Sequence, residues 1–190
     1  MKYDPRKHHA QCNSCPLQGS PVVPPEGPPD SPWVFVGEAP GPSEIKFGRP
    51  FIGPSGVKLE EMLEKHGWKR KQVYITNAVL CRPEVPITVM QGAQRFNSKN
   101  YMQWLHAENK VQKKLGRPLL RSPFECCAPR LLNELERHEV AALAAGYPNG
   151  AVVQPLGNFA AMTILDWKSP TGIMKIRGSV YELKLRDEPA

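Results

Sequence analysis

The chain has 190 residues, of which 41% are hydrophobic, and this length predicts one domain with a buried core. No run of about 18 apolar residues occurs, which excludes a membrane-spanning helix, and residues 1–10 lack the apolar stretch of a secretory signal. We therefore expect an intracellular protein, whose five cysteines suit metal ligation better than disulfide formation.

Positive charge is concentrated in one quarter of the chain. The net charge is +7, and residues 82–130 alone hold nine Lys or Arg against three Asp or Glu. A local basic surface favours a polyanionic partner such as DNA, because binding releases condensed counterions. The alternative is a charged surface that serves only solubility.

Strand and helix patterns alternate along the chain, after a proline-rich connector at residues 21–32 that fits neither a helix nor a central strand. The predicted strands are Trp33–Val36, Val73–Val79 and Val152–Val153, with a hairpin or bulged strand at Ile173–Leu185. The first predicted helix is N-capped by Ser55 and runs to His66, and one of its faces consists of Leu59, Met62, Leu63 and His66. A second predicted helix has Pro129 in its first turn, and a third spans Asn158–Leu165. This alternation predicts an α/β fold with parallel strands and helices on both faces of the sheet.

Residues 82–126 fit this alternation poorly and are interpreted as a basic insertion into a single domain that spans residues 1–190. The spacing of its apolar residues predicts an amphipathic helix, formed by Tyr101, Trp104, Leu105, Val111 and Leu115. Three lysines near the end of this helix are candidate DNA contacts: Lys110, Lys113 and Lys114.

The cysteines form a pattern that is typical of a metal centre. Cys12 and Cys15 are a CxxC pair, Cys81 ends the second predicted strand, and Cys126 and Cys127 begin a helix. One pair with two remote single cysteines fits an iron–sulfur cluster at least as well as a zinc site, which usually has two CxxC pairs. Buried and chemically inert cysteines are the remaining interpretation.

A second group of residues is typical of a pocket for a flat polar ligand. Glu38 follows the first predicted strand in a Gly/Pro turn, where α/β sheets bind ligands, and it can position water or simply cap a turn. Phe51 lies in a second Gly/Pro turn and offers an aromatic surface, unless it is ordinary core. Asn77 places an amide inside an otherwise apolar strand, and a buried amide without partners costs about 1–3 kcal/mol. Its donor and acceptor match the polar edge of a nucleobase.

In combination these motifs resemble the family 4 uracil-DNA glycosylases, the iron–sulfur branch of the uracil-DNA glycosylase superfamily. The matching segments cover most of the chain except the insertion and are Cys12–Cys15, Val36–Glu44, Gly48–Gly53, Val73–Pro83, Cys127–Leu131, Leu156–Ala160 and Arg177–Gly178.

The resemblance implies a four-stranded, mainly parallel sheet in a three-layer α/β/α fold, and a [4Fe-4S] cluster held by Cys12, Cys15, Cys81 and Cys127. The implied reaction is hydrolysis of the N-glycosidic bond of deoxyuridine in DNA, with the uracil flipped out of the base stack. Phe51 would stack on the base, Asn77 would read its polar edge, and Glu38 would orient water or support the cationic sugar. The residues implied to line the pocket are Gly37, Ala39, Pro40, Gly41 and Glu44.

The sequence departs from the family in one respect. The family's histidine motif follows the Arg–Gly pair and stabilises the leaving base, whereas the last histidine here is His138, in a predicted helix. We therefore expect the 190-residue chain, whether complete or truncated, to be a poor glycosylase. The alternatives are a non-catalytic DNA-binding module, for example one joined to a phage-type DNA polymerase, and a zinc-stabilised structural domain.

Overall fold

Three parallel strands form the centre of the computed structural model, which describes residues 3–86, 97–166 and 178–183. The strands are β1 (Trp33–Gly37), β2 (Tyr74–Asn77) and β3 (Val152–Pro155), in the order β2-β1-β3. Val34 of β1 is paired with Tyr74 on one side and with Val153 on the other. The described residues thus contain three of the four expected strands. Of the element predicted at residues 173–185, residues 178–183 form no strand and the remainder lies outside the described residues.

Five helices surround this sheet within the described ranges: α1 (Pro42–Phe47), α2 (Pro54–Lys65), α3 (Ser98–Lys114), α4 (Pro123–Ala144) and α5 (Asn158–Ile164). Side chains of β1 alternate between two hydrophobic clusters, as the strand period requires. Val34 and Val36 join the cluster that includes α3, α4 and α5, whereas Trp33 and Phe35 pack with α2. Helices therefore lie on both faces of the sheet, as predicted. None of the described helices has the length and hydropathy needed to cross a bilayer.

Two predicted helix starts were wrong. Helix α4 begins at Pro123 rather than near Pro129, because Ser122 and Glu125 form a capping box that satisfies its first N–H groups. Pro129 therefore lies inside the helix, where its missing N–H costs one backbone hydrogen bond. Helix α2 is capped by Gly53 rather than Ser55, because Pro54 occupies the first helical position, where its missing N–H has no cost.

The proline-rich connector runs along the outer edge of β2. Glu26 and Ile75 exchange two backbone hydrogen bonds of 3.0 and 2.8 Å, and the N–H of Val23 donates to the carbonyl of Leu80 over 2.9 Å. These are isolated antiparallel contacts rather than a regular strand, because the prolines supply no N–H. The connector thus covers an edge that would otherwise present unpaired backbone groups.

Candidate active site and cysteine cavity

The carboxyl ends of β1 and β2 open into a cleft of about 1390 Å³. Parallel strands bring their carboxyl ends to the same edge of a sheet, so residues distant in sequence meet there. Most of the pocket residues expected from the sequence line this cleft: Gly37, Glu38, Ala39, Gly41, Glu44, Phe51 and Asn77. Pro40 does not line it and is buried.

Gly37 is the point at which Phe51 and Asn77 converge. A Cβ added to this glycine would lie 2.5 Å from Cε2 of the Phe51 ring, and closer still to its Cζ and to Oδ1 of Asn77. Only a residue without a side chain leaves room for both groups. The aromatic ring and the amide therefore flank one small space at the end of β1, and the Asn77 side chain is directed into the crevice rather than away from it.

Glu38 is half-buried and held by the beginning of α5. Its Oε1 accepts a hydrogen bond from the backbone N–H of Phe159 over 3.1 Å. Gly157, with φ +108, allows this approach, because a Cβ there would lie 2.6 Å from the same oxygen. The carboxylate therefore caps a helix and also lines the cleft, so the two sequence interpretations of Glu38 do not exclude each other.

Glu44 connects the two turns that form the cleft. Its buried carboxylate accepts hydrogen bonds from the N–H groups of Ile52 and Gly53, at 2.9 and 2.8 Å. A Cβ on Gly41 would lie 2.6 Å from its other oxygen. Glu44 thus fixes the start of α2 against α1 and holds the turn that carries Phe51.

The cleft extends beyond the predicted residues along the face of the sheet covered by α2. Its apolar wall includes Trp33, Phe35 and Trp68, and Met62 and His66 also line it. The sequence placed Met62 on the core face of α2, but 48% of it is exposed, whereas Leu59 and Leu63 are buried as expected.

All five cysteines line a second cavity of about 590 Å³, next to the first turns of α4. Cys12 begins a short 3-10 helix (Cys12–Ser14), Cys81 pairs with Val22 just after β2, and Cys126 and Cys127 lie in α4. Within the described part of the chain, no three His, Cys, Asp or Glu side chains are grouped as a single metal ion would require. The thiols therefore share a cavity without converging on one point.

Burial controls the ionisation of these thiols. It raises the pKa of Cys15 and of Cys81 to about 12, and it also raises the pKa of Cys12 and Cys126. After burial, the neighbouring Cys127 is the next cause of the raised pKa of Cys12 and of Cys81. Cys126 in turn contributes to the raised pKa of Cys15, so both adjacent cysteines act on the other thiols.

Arg130 is a buried residue behind the cleft that the sequence analysis missed. Its guanidinium donates to the backbone carbonyls of Asn77 and Ala78 over 2.6 and 3.0 Å, and it forms an ion pair with Glu134, four residues later. Burial without such partners would be costly, so Arg130 and Glu134 act as a unit. An arginine in the apolar face of a predicted helix was the available signal.

The three candidate DNA-contact lysines lie elsewhere. Lys110, Lys113 and Lys114 are exposed at the end of α3, as the helix prediction required, and they are not among the residues that line the cleft. The predicted apolar face of α3 is only partly buried, because Tyr101 and Leu105 are in the core whereas Val111 and Leu115 are exposed.

Comparison with known proteins identifies the family. A family model described as the Uracil DNA glycosylase superfamily matches residues 24–185. A type-4 uracil-DNA glycosylase of Archaeoglobus fulgidus is 32% identical over 177 residues, which cover 91% of this chain and 69% of that protein. The proteins of the same name from Thermotoga maritima and Sulfurisphaera tokodaii are 49% and 52% identical over 75 and 63 residues.

These last two alignments cover 38% and 33% of this chain, but only 39% and 29% of the relatives' own lengths. The family model, by contrast, matches nearly the whole described fold, including β1, β2 and β3. The chain therefore belongs to the uracil-DNA glycosylase superfamily, and the relatives that it resembles are type-4 members.

Proposed function

We propose that this protein is a uracil-DNA glycosylase that excises uracil from DNA. The observation that supports this most directly is the convergence of the Phe51 ring and the Asn77 amide on Gly37, with the Glu38 carboxylate at the same cleft. A nucleobase needs a flat apolar surface and a matched polar edge, and these two side chains offer both.

The proposed chemistry assigns one role to each of the three side chains. A uracil flipped out of the helix would stack on Phe51 and bond to the amide of Asn77, which favours uracil over cytosine. Water adds to C1′ of the deoxyribose as the N-glycosidic bond breaks, the bonding electrons leave with the base as an anion, and the proton lost by the water neutralises that anion. Glu38 would orient that water and stabilise the positive charge that develops on the sugar.

The direct test is release of uracil from DNA. The 190-residue chain should release uracil slowly from single-stranded DNA with one deoxyuridine, as expected for a poor glycosylase, and leave a thymine control intact. Glu38→Gln should slow release by about 10²-fold or more, because the carboxylate charge is lost. Glu61→Gln, which neutralises an exposed carboxylate of α2, is the matched control.

Two outcomes separate the alternatives. Uracil-dependent binding without release would indicate a non-catalytic DNA-binding module. Absence of both binding and release would contradict the proposal.

We further propose that Cys12, Cys15, Cys81 and Cys127 hold a [4Fe-4S] cluster. The donor set supports this, because thiols are the ligands of such clusters and all four line one cavity. Four thiols also suit a tetrahedral zinc ion, so the metal content of the purified protein decides between the two. We choose Cys127 over Cys126 as the fourth ligand because Cys127 begins the Cys127–Leu131 segment that resembles the family.

When bound, the cluster would join the N-terminal segment, the end of β2 and helix α4. Anaerobically purified protein should be brown and contain about four irons per chain. Cys127→Ser should lose iron, whereas Cys126→Ser should retain it. A colourless protein with one zinc per chain would contradict the cluster proposal without affecting the glycosylase proposal.

A further inference from the structure

Phe51 has an uncommon backbone conformation in the turn between α1 and α2. Its φ of +50 lies in the left-handed region, which residues with a side chain adopt only when their surroundings hold them there. Gly56 of α2 lies against this peptide, since a Cβ on Gly56 would overlap the Phe51 carbonyl and lie 3.0 Å from its Cα. The direction of the Phe51 ring therefore depends on the groups that fix this turn.

Arg70 holds the carbonyl side of the same turn. Its Nη1 donates to the carbonyl of Phe51 over 2.8 Å, and its Nη2 donates to the carbonyl of Pro50. The side chain is only 14% exposed, although it belongs to a short surface 3-10 helix, Arg70–Gln72, just before β2. The planar guanidinium can bond two adjacent acceptors at once, which the single ammonium of lysine does less well.

Two carboxylates fix the guanidinium itself. Glu60 of α2 bonds Nη1 over 3.0 Å, and Glu26 of the connector bonds Nε over 3.3 Å. Glu26 in turn exchanges two backbone hydrogen bonds with Ile75, which is two residues before Asn77 in β2. A continuous set of hydrogen bonds therefore joins the strand that carries Asn77 to the turn that carries Phe51.

We propose that Arg70 is a positioning residue for the nucleobase site, which sets the Phe51 ring at the correct distance from the Asn77 amide. This inference rests on the proposed function for the identity of the base as uracil. Arg70 contacts the backbone of the stacking residue and acts through it rather than on the substrate. A base held between a ring and an amide tolerates little error in their spacing, so loosening the turn weakens binding even though both side chains remain.

The main test compares variants of Arg70 with a matched variant of Arg49. Arg49 bonds the same Glu26 over 2.7 Å, and its side chain is 57% exposed, so Arg49→Gln makes the same charge change without releasing the Phe51 carbonyl. Arg70→Gln should raise the dissociation constant for free uracil by about tenfold. This loss is smaller than the full contribution of a base–aromatic stack to affinity, because the Phe51 ring is displaced but not removed. Arg70→Lys should fall between Arg70→Gln and the parent, and Arg49→Gln should match the parent.

A double-mutant cycle distinguishes positioning from general destabilisation. If Arg70 acts through Phe51, Arg70→Gln should have no further effect on uracil affinity in a Phe51→Ala background. DNA with an abasic site has no base to stack, so its affinity should change less than twofold in Arg70→Gln and in Phe51→Ala. Additive losses, or equal losses for uracil and abasic DNA, would overturn the proposal.

A spectroscopic measurement makes the test independent of activity. In protein labelled with 4-fluorophenylalanine, the Phe51 resonance is identified by its loss in Phe51→Leu. Arg70→Gln should shift or broaden this fluorine resonance, whereas Arg49→Gln should leave it unchanged. If the parent protein does not bind uracil, the proposed function fails, and the fluorine spectra still decide whether Arg70 positions the ring. Should Arg70→Gln not fold, Arg70→Lys and Glu26→Gln disturb the same contacts and decide the question by the same readouts.

Discussion

Gly37→Ala is the substitution that tests the base site most directly. The new methyl group would lie 2.5 Å from one carbon of the Phe51 ring, whereas unstrained carbon contacts are about 3.5–4.0 Å. The ring must therefore move by about 1 Å or more, and the Asn77 amide must move with it. The φ of Gly37 is outside the left-handed region, so the backbone itself accepts alanine.

The expected magnitude follows from the cost of overpacking. Inserting a methyl group into a filled site typically costs about 1–3 kcal/mol. If the ring and the amide move away from the base, the same energy appears as a loss of uracil affinity of about 5- to 150-fold. Affinity for free uracil, uracil release from single-stranded DNA and thermal unfolding should all be measured on the same samples.

The control must lose stability without touching the cleft. Gly116 follows α3 with φ +63 and has open space where a Cβ would be, so Gly116→Ala costs about 1–2 kcal/mol through backbone strain alone. We expect Gly116→Ala to lower the unfolding temperature and retain uracil affinity. A folded Gly37→Ala protein that binds uracil as well as the parent would show that the base does not lie between Phe51 and Asn77.

Three further predictions concern specificity, DNA affinity and pH. Asn77→Asp replaces an amide donor by an acceptor and should weaken uracil binding relative to cytosine by about 1–3 kcal/mol, as measured by competition with the free bases. Reversing the charge of Lys110, Lys113 and Lys114 by substitution with Glu should weaken binding to every DNA sequence. The slope of log K against log salt should become shallower by about 0.9 for each phosphate that is no longer neutralised. The charge-matched control replaces Lys7, Lys65 and Lys71 by Glu, and unchanged DNA binding by the α3 variant would assign the end of α3 another role. Burial lowers the pKa of His138, so the imidazole binds a proton more readily in the unfolded chain, and the stability of the fold should decrease as the pH drops from about 7 to 5. The urea midpoint should decrease less over this range in His138→Gln than in the parent or in the exposed control His106→Gln. Equal decreases in all three proteins would contradict this assignment.

The sequence predicted most of the residues that meet at the carboxyl ends of β1 and β2, because each of them leaves a local pattern. An apolar strand followed by a Gly/Pro turn identified β1 and Glu38, and an amide in an apolar strand identified Asn77. The general rule that parallel strands meet at their carboxyl ends then brought these residues together. The resemblance to the family supplied their roles.

Other features left no comparable pattern. Helix α1 has only six residues between two glycines and begins with Pro42, and the sequence analysis predicted no helix there. The Ser122–Glu125 capping box was readable in principle, but Pro129 gave a competing start signal six residues later. Cys126 and Cys127 are adjacent, so cysteine spacing alone did not separate them, and the resemblance to the family selected Cys127.

The two arginines were missed for a deeper reason. Arg70 and Arg130 bond to backbone carbonyls that are 19 to 53 residues away in sequence, and every residue has a carbonyl. No residue type at the acceptor end signals such a contact. Contacts of this kind become visible only when the fold brings the donor and the acceptor together.

The two arginines hold opposite walls of the same site from different elements. Arg70 bonds the carbonyl of Phe51 from the segment before β2, and Arg130 bonds the carbonyl of Asn77 from α4. Backbone carbonyls are suitable attachment points, because the side chains of Phe51 and Asn77 remain free to meet a ligand. Arg130 is also only three residues from Cys127, so the helix turn that borders the cysteine cavity fixes the position of Asn77 as well. The same part of α4 therefore borders the cysteine cavity and bonds the backbone of Asn77, even though the two cavities are lined by different residues.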